Sequence, residues 1–260
     1  MEQWNDGIMS ISTTEKNIST KKISIAENEI HIWSVNLELP ELQTKKLQLY
    51  LSTDELQRAQ RFYFEKDQNH FIVARGMLRK ILSFYINRQP YEFSFEYNKF
   101  GKPFLLYGFR GDKFRFNLSH SQGLALYAIT LNHEIGIDIE YIREDFSDLE
   151  IADRFFSPDE VAVLHSLSPE NQKEAFFLCW TRKEAFIKAK GKGLSIPLDQ
   201  FDVSLAPGQP AELLRTKYDR KDVSHWSLFN LTVKPGFAAA LAVEGAQQWK
   251  IKYWKWEEDI

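Results

Sequence analysis

Asp138 and Glu140 stand two residues apart in "EIGIDIEYIR", Glu134 to Arg143. Ile135, Ile137 and Ile139 alternate with them, which predicts a β-strand. Residues two apart on a strand share a face. The isoleucines therefore turn to an apolar core while two carboxylates point together from the other side. Such a pair repels itself unless water or a cation neutralises it. Further along, Trp180, Glu184 and Lys188 are spaced four apart in "EAFFLCWTRKEAFIKAKGKGL", the strongest helical pattern in the chain, and share one face. Asp138, Glu140 and Glu184 together would make an all-oxygen site. Such sites suit Mg2+, which keeps several waters and takes phosphate oxygens as its other ligands. Lys188, one turn beyond Glu184, could reach the same phosphate. Arg75, Arg79, Lys102 and His120 are further candidates for phosphate binding. Each signal also has a plainer reading. Two acids on a strand also suit a solvated edge, Glu184 and Lys188 an exposed i,i+4 pair, and Arg75 and Arg79 the wet side of a helix. No single motif decides; their joint occurrence does.

The elements that must position these residues follow from the flanking patterns. "NEIHIWSVNLE" alternates as a strand, and "STDELQRAQRF" opens a helix with Ser52 or Thr53 as cap. "DQNHFIVARGMLRKILSFYI" is a longer helix with an apolar face through Ile72, Leu78, Ile81, Leu82 and Tyr85. "FSFEYNKFGKPFL" reads as strand, glycine turn, strand. "FRFNLSHSQGLALYAITLN" reads as a strand, a polar break over Asn117–Gly123, then a second strand. Pro158 after Ser157 starts another helix, and Gly191 and Gly193 end the Glu184 helix. The remainder, from "FDVSL" to "KYWKW", breaks into short strands. The order strand, helices, strands thus occurs twice, with the two runs meeting near Glu134.

With 260 residues, 43% of them hydrophobic and 14% aromatic, the chain can bury one large core or two ordinary ones. The net charge of −3 supplies no global basic field for nucleic acid or a membrane surface. The single cysteine, Cys179, excludes an internal disulfide and points to a reducing compartment. No apolar run is long enough to span a bilayer, and the first residues lack the apolar stretch of a signal peptide. The expectation is a cytoplasmic protein with a flexible leader over 1–28, an N-terminal half over 29–134 and a C-terminal half over 135–260.

Taken together, the motifs resemble those of the Sfp-type 4′-phosphopantetheinyl transferases. Three blocks carry the likeness, in the family's order. The first is "GKPFL" (Gly101–Leu105) followed by "FNLSHS" (Phe116–Ser121). The second is "IGIDIE" (Ile135–Glu140). The third is "FFSPDE" (Phe155–Glu160) followed by "WTRKEAFIKAKGKGL" (Trp180–Leu194). Weaker similarity extends through "RAQRFYFEKD" and "ARGMLRKIL". The resemblance implies an α+β pseudo-dimer of two similar halves. Each is a helix packed on a small antiparallel sheet, and the active site lies in the cleft between them. It implies transfer of the phosphopantetheine arm of coenzyme A to a serine of an acyl or peptidyl carrier protein, releasing adenosine 3′,5′-bisphosphate.

By the same resemblance Asp138, Glu140 and Glu184 would hold Mg2+ with the pyrophosphate. Lys188 would contact the phosphates, and Glu184 would serve as base for the serine, directly or through water. Lys102 and Pro103 of the first block, with Ser119 and His120, match positions that hold the coenzyme's adenosine and 3′-phosphate end. Arg75 and Arg79 are expected to join them. Glu55 departs from the family, where a lysine is common. A monomer is expected, since each half supplies the other's interface. Two other readings fit the bare chemistry. One is a metal-dependent phosphodiesterase or nuclease, which leaves "GKPFL" and "NLSHS" unexplained. The other is a non-catalytic protein that binds coenzyme A or a carrier domain.

Overall fold

The computed structural model describes residues 22–106, 113–143, 149–217 and 221–258, and the backbone of 8–13. A strand β1 (Ile8–Thr13) precedes a unit that runs β2 (Glu29–Asn36), α1 (Glu41–Gln48), α2 (Thr53–Ala59), α3 (Glu65–Tyr85), β3 (Phe95–Tyr97), β4 (Pro103–Leu105), β5 (Phe114–Ser121) and β6 (Leu124–Leu131). A second unit repeats the plan with β7 (Ile135–Tyr141), α4 (Leu149–Phe155), α5 (Pro158–Ser166), α6 (Pro169–Lys190), β8 (Phe201–Val203), β9 (Leu213–Thr216), α7 (Asp222–His225), β10 (Trp226–Asn230) and β11 (Phe237–Glu244). A last strand, β12 (Lys250–Glu258), closes the described chain.

The likeness of the halves is topological. In the first, β6 lies between β2 and β5; in the second, β11 lies between β7 and β10, and all four pairings are antiparallel. Each half is thus a long helix on a small antiparallel sheet, the α+β pseudo-dimer that the resemblance implies. The two sheets stack. Ile135, Ile137 and Ile139 pack with Ile30, Ile32, Leu126 and Leu241 in the layer between them, while α3 covers one outer face through Val73, Met77 and Ile81. On the other outer face, Ala238, Ala240 and Ala242 lie under α6. These side chains are small, so the helix comes close.

The last strand, β12, crosses back and pairs in parallel with β2, the first strand of the other half. Within the expected leader, most of which lies outside the described residues, Ile8–Thr13 pairs with β12. Ile23 and Ile25 pack on the first core. Finally, there is no polar break at Asn117–Gly123. β5 runs on to Ser121 and only Gln122 and Gly123, both at positive φ, make the turn. Among the described residues no helix is long and apolar enough to cross a membrane.

Candidate active site

The polar residues of β5 are in strand because they have partners on β7. The two strands lie side by side where the sheets meet, and side chains join them. Asn117 Oδ1 accepts the Ile137 N–H at 2.9 Å, and the Ser119 hydroxyl donates to Asp138 Oδ1 at 2.9 Å. The Ser121 hydroxyl donates to Glu140 Oε2 and accepts the Tyr141 N–H, both at 3.1 Å. Every second residue of "FNLSHS" thus satisfies a group of "IGIDIE". Asn117 and Ser121 were missed as site residues. Their alternation with Phe116 and Leu118 was the available signal.

α6 brings Glu184 and Lys188 over the same strand. Pro169 stands at its first turn, and Gly191 closes it in the left-handed region at φ 62°, where a side chain would be strained. Close approach is set at Gly136: a Cβ there would lie 2.1 Å from Ala185 O and 2.3 Å from the Ala189 nitrogen. Two fully buried cations pin the helix from behind. Lys183 Nζ donates to the carbonyls of Leu198 and Phe201 and pairs with buried Glu160 at 2.7 Å. Arg182 donates to Asn230 Oδ1 and to Ser204. The basic residues inside "WTRKEA" are therefore structural, and Glu160 of "FFSPDE" is the buried counter-ion of one of them.

Asp138, Glu140, Glu184, Lys188, Ser119 and His120 line one cavity of about 570 Å³, with Trp180, Phe155 and Leu118. Lys188 Nζ reaches Asp138 Oδ1 at 2.5 Å and the Ser119 hydroxyl at 2.9 Å. Burial first, then the charge of Asp138, pushes the carboxyls of Glu140 and Glu184 above their usual range. His120 has an exposed edge, but the protein packed around its ring, and then Lys188 and His70, hold its pKa below the ordinary value.

Three carboxylates facing one ammonium leave two negative charges in excess. Asp138 Oδ2 is buried with no hydrogen-bond partner. An all-oxygen set with an unsatisfied lone pair and a surplus of two charges fits a hard divalent cation. Among the described residues no group of three or more His, Cys, Asp or Glu side chains stands placed to hold a metal ion. Lys188 holds Asp138 Oδ1, so an ion would engage Oδ2 or displace the lysine.

Four expected site residues are elsewhere. Arg75 and Arg79 are buried and closed on Glu55. Arg75 Nε and Arg79 Nε donate to its two oxygens at 2.7 and 2.8 Å, and Arg79 also donates to the carbonyls of Pro90 and Phe93. The backbone N–H of Ser52 donates to the same carboxylate, so Glu55 caps α2 and ties it to α3. In this structure both arginines are partners of Glu55, the carboxylate that their buried guanidiniums need. Lys102 and Pro103 border a different cavity, of about 360 Å³, with Phe104, Arg115, Glu134 and Lys190. The Lys102 ammonium there is taken up by protein acceptors and does not face the acids.

Comparison with known proteins agrees across both halves. A model of the 4′-phosphopantetheinyl transferase superfamily matches residues 134–242, and one described as 4′-phosphopantetheinyl transferase, N-terminal, matches residues 40–131. The chain is 41% identical to the 4′-phosphopantetheinyl transferase HetI of Nostoc sp., over 89% of this chain and 94% of that protein. It is 31% identical to the 4′-phosphopantetheinyl transferase Sfp of Bacillus subtilis, over 67% of this chain and 76% of that one. Among solved structures, the Thermotoga maritima holo-[acyl-carrier-protein] synthase aligns over 44% of this chain and 64% of its own, with 21% identity and a TM-score of 0.36.

Proposed function

This chain belongs to the 4′-phosphopantetheinyl transferase superfamily, and from that premise we propose that its cavity moves the phosphopantetheine arm of coenzyme A onto a serine of an acyl or peptidyl carrier protein. The observation that supports this is the meeting of Asp138, Glu140, Glu184, Lys188, Ser119 and His120 in one cavity where the two halves join. In the reaction the serine oxygen forms a bond to the phosphorus that bears the pantetheine arm. The bond from that phosphorus to the bridging oxygen breaks, and adenosine 3′,5′-bisphosphate leaves.

Asp138, Glu140 and Glu184 would hold Mg2+, which withdraws charge from the pyrophosphate oxygens when bound. Glu184 would take the serine proton on a carboxylate oxygen, directly or through water. Lys188 offers an ammonium to the charge that grows on the departing oxygen. Ser119 orients Asp138 and Lys188 together, since its hydroxyl donates to one and accepts from the other. His120, at the edge of the same cavity, would contact the 3′-phosphate and adenosine end of the coenzyme. Both halves contribute to this one site, which supports the expected monomer.

The test is to incubate the protein with an apo-carrier protein, coenzyme A and Mg2+ and to weigh the carrier. A gain of one phosphopantetheinyl group per carrier, matched by adenosine 3′,5′-bisphosphate, is expected. An unchanged carrier with DNA or RNA cut instead would support a nuclease. An unchanged carrier with coenzyme A merely bound would support a non-catalytic role.

A further inference from the structure

Lys102 lies just after the turn that joins β3 to β4, in the first half. Its ammonium donates to Glu134 Oε2 at 2.8 Å, to Ile135 O at 3.1 Å and to Ala189 O at 3.0 Å, all in the second half or at its start. Three acceptors satisfy an ammonium's three donors. The side chain is only 15% exposed, and Glu134 is held in turn by Arg115 Nε at 3.0 Å. The turn itself is rigid: Asn98 N–H donates to Lys102 O, and Lys102 N–H donates to Asn98 Oδ1, each at 3.0 Å. Asn98 Nδ2 then donates to Gly191 O at 2.6 Å. The hairpin therefore grips the last turn of α6 by two carbonyls, and its cation sits where the helix dipole favours one.

The place of that grip matters. Ile135 immediately precedes Gly136, the point of closest approach between β7 and α6, and Ala189 is one of the two residues a Cβ at 136 would strike. Ala189 also follows Lys188, whose ammonium meets Asp138 on β7. One ammonium thus ties together the two elements that carry the catalytic groups, at the corner from which both extend into the cavity. Building on the transferase reading above, we propose that Lys102 is a positioning residue. It sets the register of α6 on β7, and so of Lys188 and Glu184 on Asp138, and it does not bind the coenzyme's phosphates.

The two roles separate kinetically. A phosphate ligand contributes to binding and to the preference for coenzyme A over 3′-dephospho-coenzyme A. A positioning residue contributes to turnover, because small displacements of reacting groups cost rate. The experiment measures kcat and KM for both donors with wild type, Lys102→Met and Glu134→Gln, the last leaving the ammonium its two carbonyl acceptors. Values of kcat are expressed per coenzyme-binding site counted by calorimetry, so loss of folded protein does not register. For Lys102→Met, kcat is expected to fall about tenfold or more. KM for coenzyme A should stay within about twofold, and the preference for the 3′-phosphorylated donor should be unchanged. Glu134→Gln is expected to show the same split to a smaller extent, and it carries the test if Lys102→Met does not fold. A raised KM with loss of donor preference would overturn the proposal, and so would unchanged kinetics in the variants. A wild-type enzyme that fails to load the carrier would reject the transferase reading instead.

Discussion

Gly136→Ala tests how tightly the site depends on the approach of α6 to β7. The added Cβ would stand 2.1 Å from Ala185 O and 2.3 Å from the Ala189 nitrogen, where ordinary contact begins near 3.4 Å. Both obstacles are backbone, so no rotamer change relieves them. The helix must withdraw by roughly 1.3 Å at that point or the strand must bend. Overpacking a close-packed interior costs about 1–3 kcal/mol, and two backbone obstacles place this case at the upper end. The gain of about 0.5–1 kcal/mol from replacing a strand glycine offsets only part of it. The expected net loss is about 2 kcal/mol or more, read as a lower urea midpoint. Because Glu184 and Lys188 ride on the same helix, folded variant should also lose about 100-fold in turnover, as expected for a displacement near 1 Å. Coenzyme binding, measured by calorimetry on the folded fraction, should change much less. Stability within about 0.5 kcal/mol of wild type, a span ordinary for neutral surface changes, together with turnover within twofold would refute the reasoning.

Other predictions follow from the same geometry. In the presence of coenzyme A, Mg2+ at ten times its dissociation constant should raise the melting midpoint by about 3–5 °C; Asp138→Asn should abolish that shift, and a shift of wild-type size would remove Asp138 from the ligand set. Glu55→Ala leaves two buried guanidiniums unpaired and should cost about 3–5 kcal/mol with KM for coenzyme A unchanged; a large rise in KM would return Arg75 and Arg79 to the coenzyme. His31 is buried, with its Nδ1 2.8 Å from the Tyr85 hydroxyl oxygen, which accepts the Trp33 N–H. Burial lowers the His31 pKa to about 4. The unfolded chain then takes up the proton first, so stability should fall as pH drops from 6.5 toward 4, by up to about 3 kcal/mol. His31→Gln should flatten that slope in urea titrations at several pH values, and an unchanged slope would assign the acid sensitivity to other groups.

The residues that alternate or recur with helical spacing were readable in the chain. Ile135, Ile137 and Ile139 face the layer between the sheets, and Glu184 and Lys188 face Asp138 as their four-residue spacing requires. What the sequence concealed were long-range partners. Asn117, Ser119 and Ser121 look like a loop because polar residues are rare inside strands, yet each answers a group on β7. Arg75, Arg79 and Lys102 look like anion binders because a basic side chain carries no record of its counter-ion; Glu55 and Glu134 supply it only after folding. Nothing in the sequence marks Arg182 and Lys183 as interior, but α6 is packed on nearly every side and both are buried. The return of β12 to β2 likewise depends on a pairing more than two hundred residues apart, beyond the reach of local pattern.

The most direct measurement is the mass of an apo-carrier protein after incubation with coenzyme A, Mg2+ and either the wild-type enzyme, Asp138→Ala or Glu184→Ala. The account predicts one phosphopantetheinyl group added by wild type and none by either variant over the same time, with both variants retaining the wild-type circular dichroism spectrum. Loading by Asp138→Ala or Glu184→Ala at close to the wild-type rate would contradict it.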